Sequence, residues 1–274
     1  MSLSGNLRMN SRFPKAEIGG TGTLVSGSVL VVLTVLIVFV LSSQVAAFSF
    51  AVFGDNQGRT ETYKLLIKKL NADKSLSFAI SAGDLTGYGT LKEYKTYKAL
   101  NKSLHIPVYQ TMGNHDAVNG GWRNFWQEFG RPYYAFVYEN AKFIVLDNSF
   151  AQSFDAEQLA WLEAELANNL SEHLFVIMHK PVFDPSEIYK DHIMSGRAII
   201  EKLMKLFEKF GVDYVFTGHI HGYAKSERNG VTYIVTGGAG APLYLPPEFG
   251  GFYHYVKVTV DDGKIKDEIR MLYE

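Results

Sequence analysis

The chain has 274 residues, 47% hydrophobic and 14% aromatic, which is ample for a packed core and unlike a disordered segment. Its 27 Lys and Arg against 28 Asp and Glu give a formal net charge of −1 with no basic cluster, so no nucleic-acid partner is expected. There is no cysteine, which excludes disulfides, thiolate metal sites and cysteine nucleophiles and leaves any metal to imidazole, carboxylate and amide donors.

Arg8, Arg12 and Lys15 precede an apolar run over 29–41, followed by the small residues Ser42, Ser43, Ala46 and Ala47. This order reads residues 1–47 as a secretory signal peptide cleaved after Ala47. Counted over 24–47, the same stretch is long enough for an N-terminal membrane anchor. Either reading places the rest of the chain outside the cytoplasm, secreted or attached to the membrane through residues 24–47.

From residue 48 onward, apolar runs at 48–53, 76–81, 107–112, 143–146, 174–178 and 212–217 predict buried strands. Between them, 61–70, 91–100, 156–167 and 198–210 place apolar residues at helical spacing. The tail segments 231–236, 253–260 and 264–271 alternate like antiparallel strands, with turn signals at Asn229-Gly230 and Asp262-Gly263. No linker or internal repeat interrupts 48–274, which reads as one layered α/β domain with a β-rich C-terminal part.

The strands end in a common kind of punctuation. The first runs into Gly54-Asp55-Asn56-Gln57, the second into Gly83-Asp84, and the third into Gly113-Asn114-His115-Asp116. The fifth and sixth run into His179 and Gly218-His219-Ile220-His221. Ligands of open α/β sheets bind at the carboxyl ends of strands, so these groups are expected at one edge of one sheet. Each piece alone is an ordinary turn. Together they form a mixed N/O donor set suited to Mn, Fe or Zn.

With these motifs the chain resembles the calcineurin-like metallophosphoesterases from Asp55 to His221, with weaker likeness through 143–149, 158–162 and 237–244. The resemblance implies a four-layer α/β/β/α sandwich and two divalent or trivalent metal ions. It implies that Asp55 and His221 bind the first ion, Asp84 bridges both, and Asn114, His179 and His219 complete the second. His115 would sit beside the substrate with Asp116 orienting it. The implied reaction is hydrolysis of phosphomonoesters or small phosphodiesters by direct attack of a metal-bridging hydroxide.

The sequence departs from the family at Gln57, where the first motif usually carries a His. A Gln carbonyl is neutral and a weaker donor, so Gln57 either ligates weakly or bonds a metal-bound water. The tyrosine that purple acid phosphatases place three residues after the bridging Asp is Gly87 here, with Tyr88 one further on. Arg59, His192 and Arg197 are candidates to touch substrate, the latter two on a segment expected to hang over the site. Tyr223 and Tyr244 lie near the expected mouth and read as packing residues. The alternative function is a non-catalytic module that binds phosphate ligands on the same scaffold, suggested by Gln57.

Overall fold

Strand β1, Phe48–Phe53, is buried along its whole length because helices cover one face of its sheet and a second sheet covers the other. The computed structural model describes residues 46–273. In chain order they form β1, α1 (Thr60–Ala72), β2 (Leu76–Ser81), α2 (Leu91–Asn101), β3 (Val108–Gln110), α3 (Asn114–Ala117) and α4 (Gly121–Phe129). Next come β4 (Tyr134–Tyr138), β5 (Ala141–Val145), α5 (Ala156–Ala167), β6 (His173–Ile177), α6 (Arg197–Lys209) and β7 (Tyr214–Thr217). Strands β8 (Tyr223–Arg228), β9 (Val231–Thr236), β10 (His254–Asp261) and β11 (Lys264–Met271) complete the order.

One sheet runs β11-β10-β1-β2-β3 and the other β4-β5-β6-β7-β9-β8. Within the first, β1 pairs in parallel with β2 and antiparallel with β10. In the second, β5, β6, β7 and β9 are parallel neighbours. The period of two along a strand decides the layers. Phe50 and Val52 face the other sheet and meet Phe143, Phe175 and Phe216 in a shared core. Ala51 and Phe53 point the opposite way, onto Tyr63, Leu66 and Leu70 of α1 and Tyr94 and Tyr97 of α2. On the far side, Ile144, Val176 and Val215 pack under Leu162 and Leu166 of α5 and Leu203 and Phe207 of α6. The result is the expected α/β/β/α sandwich.

Local chemistry sets the element ends. Thr90 and Glu93 form a capping box at the start of α2, and Asp155 caps α5 by accepting from Gln158 N at 2.8 Å. Asn229-Gly230 and Asp262-Gly263 make the hairpin turns, with φ of 52°, 77°, 46° and 70°.

Two expectations about topology change. The C-terminal strands are not one antiparallel run: β9 lies parallel to β7 in the second sheet, while the β10–β11 hairpin belongs to the first. A crossing segment over 237–253 separates them, which alternation alone does not signal. The expected location is corrected as well. No helix among the described residues is long and apolar enough to cross a membrane. The leader and anchor readings fall on a segment that lies outside the described residues except for Ala46 and Ala47, which are exposed and outside any helix. The extracytoplasmic assignment is therefore withdrawn.

Candidate metal centre

The candidate ligands follow the carboxyl ends of β1, β2 and β3 in one sheet and of β6 and β7 in the other. The site thus straddles the rim of both sheets, and the expectation of a single sheet edge is corrected. Asp55, Gln57, Asp84 and His219 all adopt left-handed backbone, with φ of 63°, 41°, 56° and 69°. Such a conformation costs a non-glycine residue about 1–3 kcal/mol and persists where surrounding contacts impose it. Here the loops are tied to each other: Asp55 N donates to Gly83 O at 3.0 Å and Gln57 N to Asp84 O at 2.8 Å. His219 N donates to both carboxylate oxygens of Asp55, at 3.1 and 2.9 Å. Two glycines are needed for close approach rather than for turning. A Cβ at Gly113 would stand 2.2 Å from Asp84 Oδ1, and one at Gly218 would stand 2.3 Å from Asp55 Oδ2.

Ligand atoms of Asp55, Asp84 and His221 all lie within 4.8 Å of one another, and all three residues are buried. Next to them, His179 Nε2 stands 2.9 Å from Asn114 Oδ1 and 3.4 Å from Asp84 Oδ1. His219 joins from the side, its ring centroid 5.1 Å from that of His179. Backbone carbonyls fix the imidazoles. His179 Nδ1 lies 2.9 Å from Ala82 O, and His221 Nδ1 lies 2.7 Å from Pro242 O. When each Nδ1–H donates to its carbonyl, Nε2 turns a lone pair inward, toward carboxylate and amide oxygens that are acceptors too. Acceptors converging on acceptors are satisfied by cations, so the donor set fits metal ions.

The electrostatics agree. Burial raises the Asp84 carboxyl and the nearby Asp55 charge adds to the shift. Burial works against Asp55 as well, but bonding and charge from His221, with His179 and His219 behind it, hold that carboxyl below its ordinary value. His221 is raised: burial opposes the charge, but the bond to Asp55 outweighs it. Burial drives His219 far down, helped by His179. Two buried carboxylates among imidazoles are a site where a metal ion competes with protons for the donors.

Gln57 reaches the same point. Its Nε2 lies 3.1 Å from Asp84 Oδ2 and 3.3 Å from His221 Nε2. Turned by 180°, the amide presents Oε1 to the first ligand group instead.

A cleft of about 150 Å³ opens over the cluster, lined by Asp84, Asn114, His115, Asp191, His192, His219, His221 and Tyr244. His192 therefore does sit over the candidate ligands, its ring centroid 6.0 Å from that of His219. Asp116 does not orient His115. Its buried carboxylate accepts from Leu85 N, Thr86 N, Thr86 Oγ1 and Gly113 N at 2.8–3.0 Å, tying the loops after β2 and β3 together. Burial and the Asp84 charge push it up to about 7. His115 is held instead by Gly87 O, 2.9 Å from Nδ1. Arg197 is likewise corrected: as the first residue of α6 it is 92% exposed and paired with Glu201 at 2.9 Å, outside the cleft. Arg59 is also absent from the cleft and lines a neighbouring cavity.

Sequence reasoning missed two supports. Tyr244 stacks on the His221 ring at 3.9 Å rather than serving only as packing, whereas Tyr223 turns away onto Phe252 and His254. Asn148, just past β5, accepts from both His179 N and Lys180 N at 2.9 and 3.0 Å. Its position after a strand end, like that of the ligands, was the available signal.

Residues 48–223 match the family model described as calcineurin-like phosphoesterase. The chain is 30% identical over 172 residues to serine/threonine-protein phosphatase CPPED1 of Danio rerio, covering 57% of this chain and 53% of that protein. It is 29% identical over 174 residues to a probable glycerophosphodiester phosphodiesterase GpdQ of Arcobacter nitrofigilis, covering 58% and 62%. The solved purple acid phosphatase PPD1 from yellow lupin superposes with a TM-score of 0.71 at 18% identity, over 84% of this chain and 52% of that one. The aligned part spans about half the length of these proteins. With the match running through well over half its length, the chain belongs to the calcineurin-like phosphoesterase family.

Proposed function

We propose that residues 48–274 form a binuclear metal-dependent hydrolase of phosphomonoesters or small phosphodiesters. The observation that carries the reading is Asp84, which stands between two donor groups. Asp55, His221 and Gln57 lie on one side of its carboxylate, and Asn114 and His179 on the other. Asp55, His221 and Gln57 would hold one Mn, Fe or Zn ion and Asn114, His179 and His219 a second, and such ions would supply Lewis-acid activation of water and charge stabilisation for the phosphate.

The chain's own groups do the rest. The Asp84 carboxylate, shared between both ligand groups, offsets repulsion between the cations. His115 hands its Nδ1 to Gly87 O and keeps Nε2 for the cleft its ring lines. From there it protonates the leaving oxygen, an effect typically worth ~10²–10⁴-fold. Tyr244 and Pro242 O hold the His221 ring in its ligating pose. Names among the relatives include both a phosphatase and a phosphodiesterase, which supports testing both ester classes.

The test uses p-nitrophenyl phosphate and bis(p-nitrophenyl) phosphate with the stripped protein resupplied with Mn²⁺, Fe²⁺ or Zn²⁺. Turnover is expected only with metal, and His115→Ala is expected to lower kcat by ~10²-fold or more. Asp84→Asn is expected to abolish turnover and reduce bound metal. A protein that retains metal yet hydrolyses neither ester would sink the catalytic reading and favour a binding module.

A further inference from the structure

Beside the metal cleft lies a larger cavity of about 510 Å³, walled by the turn over 56–60 and by α2. The two cavities share His115 as a lining residue. The inner wall of the larger one is apolar, from Tyr63, Leu85 and Tyr97, all buried. Its rim carries Arg59 and Lys92, both exposed and neither paired with an acid among the described residues. Glu93, the acid at the same cavity, is already engaged: its oxygens accept from Gly87 N, Thr90 N and Thr90 Oγ1. The cavity thus offers an apolar floor and a mouth where two cations, Arg59 and Lys92, outnumber the one acid, Glu93, whose oxygens are turned to Gly87 and Thr90.

We propose that this cavity receives the leaving group, and that the site selects esters whose leaving group is a flat apolar ring bearing a second anion at its far end. The proposal rests on the phosphoesterase reading. A general acid stands on the side from which the leaving group departs. Because His115 lines both cavities, the ester oxygen it protonates faces the larger one. In the step, a water oxygen gives up one proton to solvent and forms the new bond to phosphorus, and the bond to the leaving oxygen breaks with its electron pair; a solvent proton later restores His115. The His115 proton goes to that oxygen, giving phosphate and a phenol. The ring then lies against Tyr63 and Tyr97, and its anion meets Arg59, whose planar fork pairs well with carboxylate or phosphate, and Lys92.

Two measurements test this. In the first, backbone amide shifts of the full chain without metal are followed by NMR during titration with 4-hydroxybenzoate, the product such an ester would leave, and with phenol. Saturable shifts at residues 57–60 and 91–100 are expected with 4-hydroxybenzoate, weaker ones with phenol, and loss of the difference in Arg59→Ala/Lys92→Ala. Thr96→Trp, on the exposed side of α2 at the cavity wall, is expected to block both ligands. Absence of saturable shifts in those segments overturns the proposal whatever the kinetics show.

In the second, kcat/KM with Mn²⁺ is compared for 4-carboxyphenyl phosphate and phenyl phosphate. The ratio in the double variant is divided by that in the parent so that intrinsic reactivity cancels. The ratio is expected to fall about tenfold, through KM, as for a lost charge-assisted hydrogen bond. An unchanged ratio also overturns the proposal. If neither ester is hydrolysed with any metal, the phosphoesterase reading falls, and the titration alone decides the cavity.

Discussion

At the scale of single residues, Gln57 is the most informative position. It occupies left-handed backbone, φ 41°, a conformation that His tolerates better than most side chains. Its amide already lies 3.1 Å from Asp84 and 3.3 Å from His221, so an imidazole there would face the same point. Gln57→His is therefore expected to tighten metal binding at the first ligand group by about tenfold, worth about 1.4 kcal/mol. Competition with a chelator, read as metal retained per chain, measures it. Unchanged retention would mean that position 57 does not ligate. The candidate ligand residues could be picked out in the sequence because each follows a strand end. The role of Asp116 was not. Adjacency to His115 suggested that it orients the ring, whereas a four-residue helical turn at α3 swings its carboxylate back onto the amides of Leu85 and Thr86. Contacts made across 30 residues of chain leave no local trace. The same holds for Tyr244, which is held against His221 in part by the bond from Tyr244 N to His221 O at 2.9 Å.

At the scale of elements, the long amphipathic and fully buried segments were legible within a residue or two, since one periodicity dominates each. The segments missed are those with mixed signals. Strand β8 reads Tyr-Ala-Lys-Ser-Glu-Arg and is mostly exposed at a sheet edge. Helix α4 starts on Gly121 with Gly120 as its cap, and glycine is a poor helix former. Strand β4 is apolar but only half-buried, again at an edge. Central strands carry the stability. Phe50 of β1 is fully buried, with ring centroids 5.3 Å from Phe78, 5.0 Å from Phe143 and 5.1 Å from Phe175, so it stitches the two sheets together. Phe50→Ala is expected to cost roughly 3–5 kcal/mol. Urea unfolding followed by tryptophan fluorescence measures this, and a loss below about 1 kcal/mol would show that the two sheets repack independently.

At the scale of the whole molecule, a titratable group also lies where β9 of one sheet meets β10 of the other, outside the candidate ligand set. His254, first residue of β10, is fully buried, its Nδ1 3.0 Å from Phe252 O and its Nε2 3.1 Å from Thr236 Oγ1 at the end of β9. In the neutral ring Nδ1–H donates to the carbonyl and Nε2 faces the hydroxyl, so both nitrogens are engaged without a net charge, whereas a second proton would put a full charge in a fully buried place. Burial accordingly lowers its pKa to about 4 from 6.5. The sign follows from linkage. The unfolded chain takes up this proton below 6.5 and the folded chain resists it until about 4, so the contribution is fully present above 6.5 and is lost as the pH falls through that window. The loss amounts to about 3 kcal/mol, at about 1.4 kcal/mol per pH unit. Raised groups at the metal site, such as His221, act in the opposite sense, so the comparison is made with metal supplied throughout. Stabilities from urea unfolding are expected to fall by about 2 kcal/mol less between pH 7 and pH 5 in His254→Asn, whose amide can still donate to Phe252 O. Parallel slopes for parent and variant would show that His254 takes its proton in the folded state as readily as in the unfolded one, and that the seam between the sheets does not exclude charge.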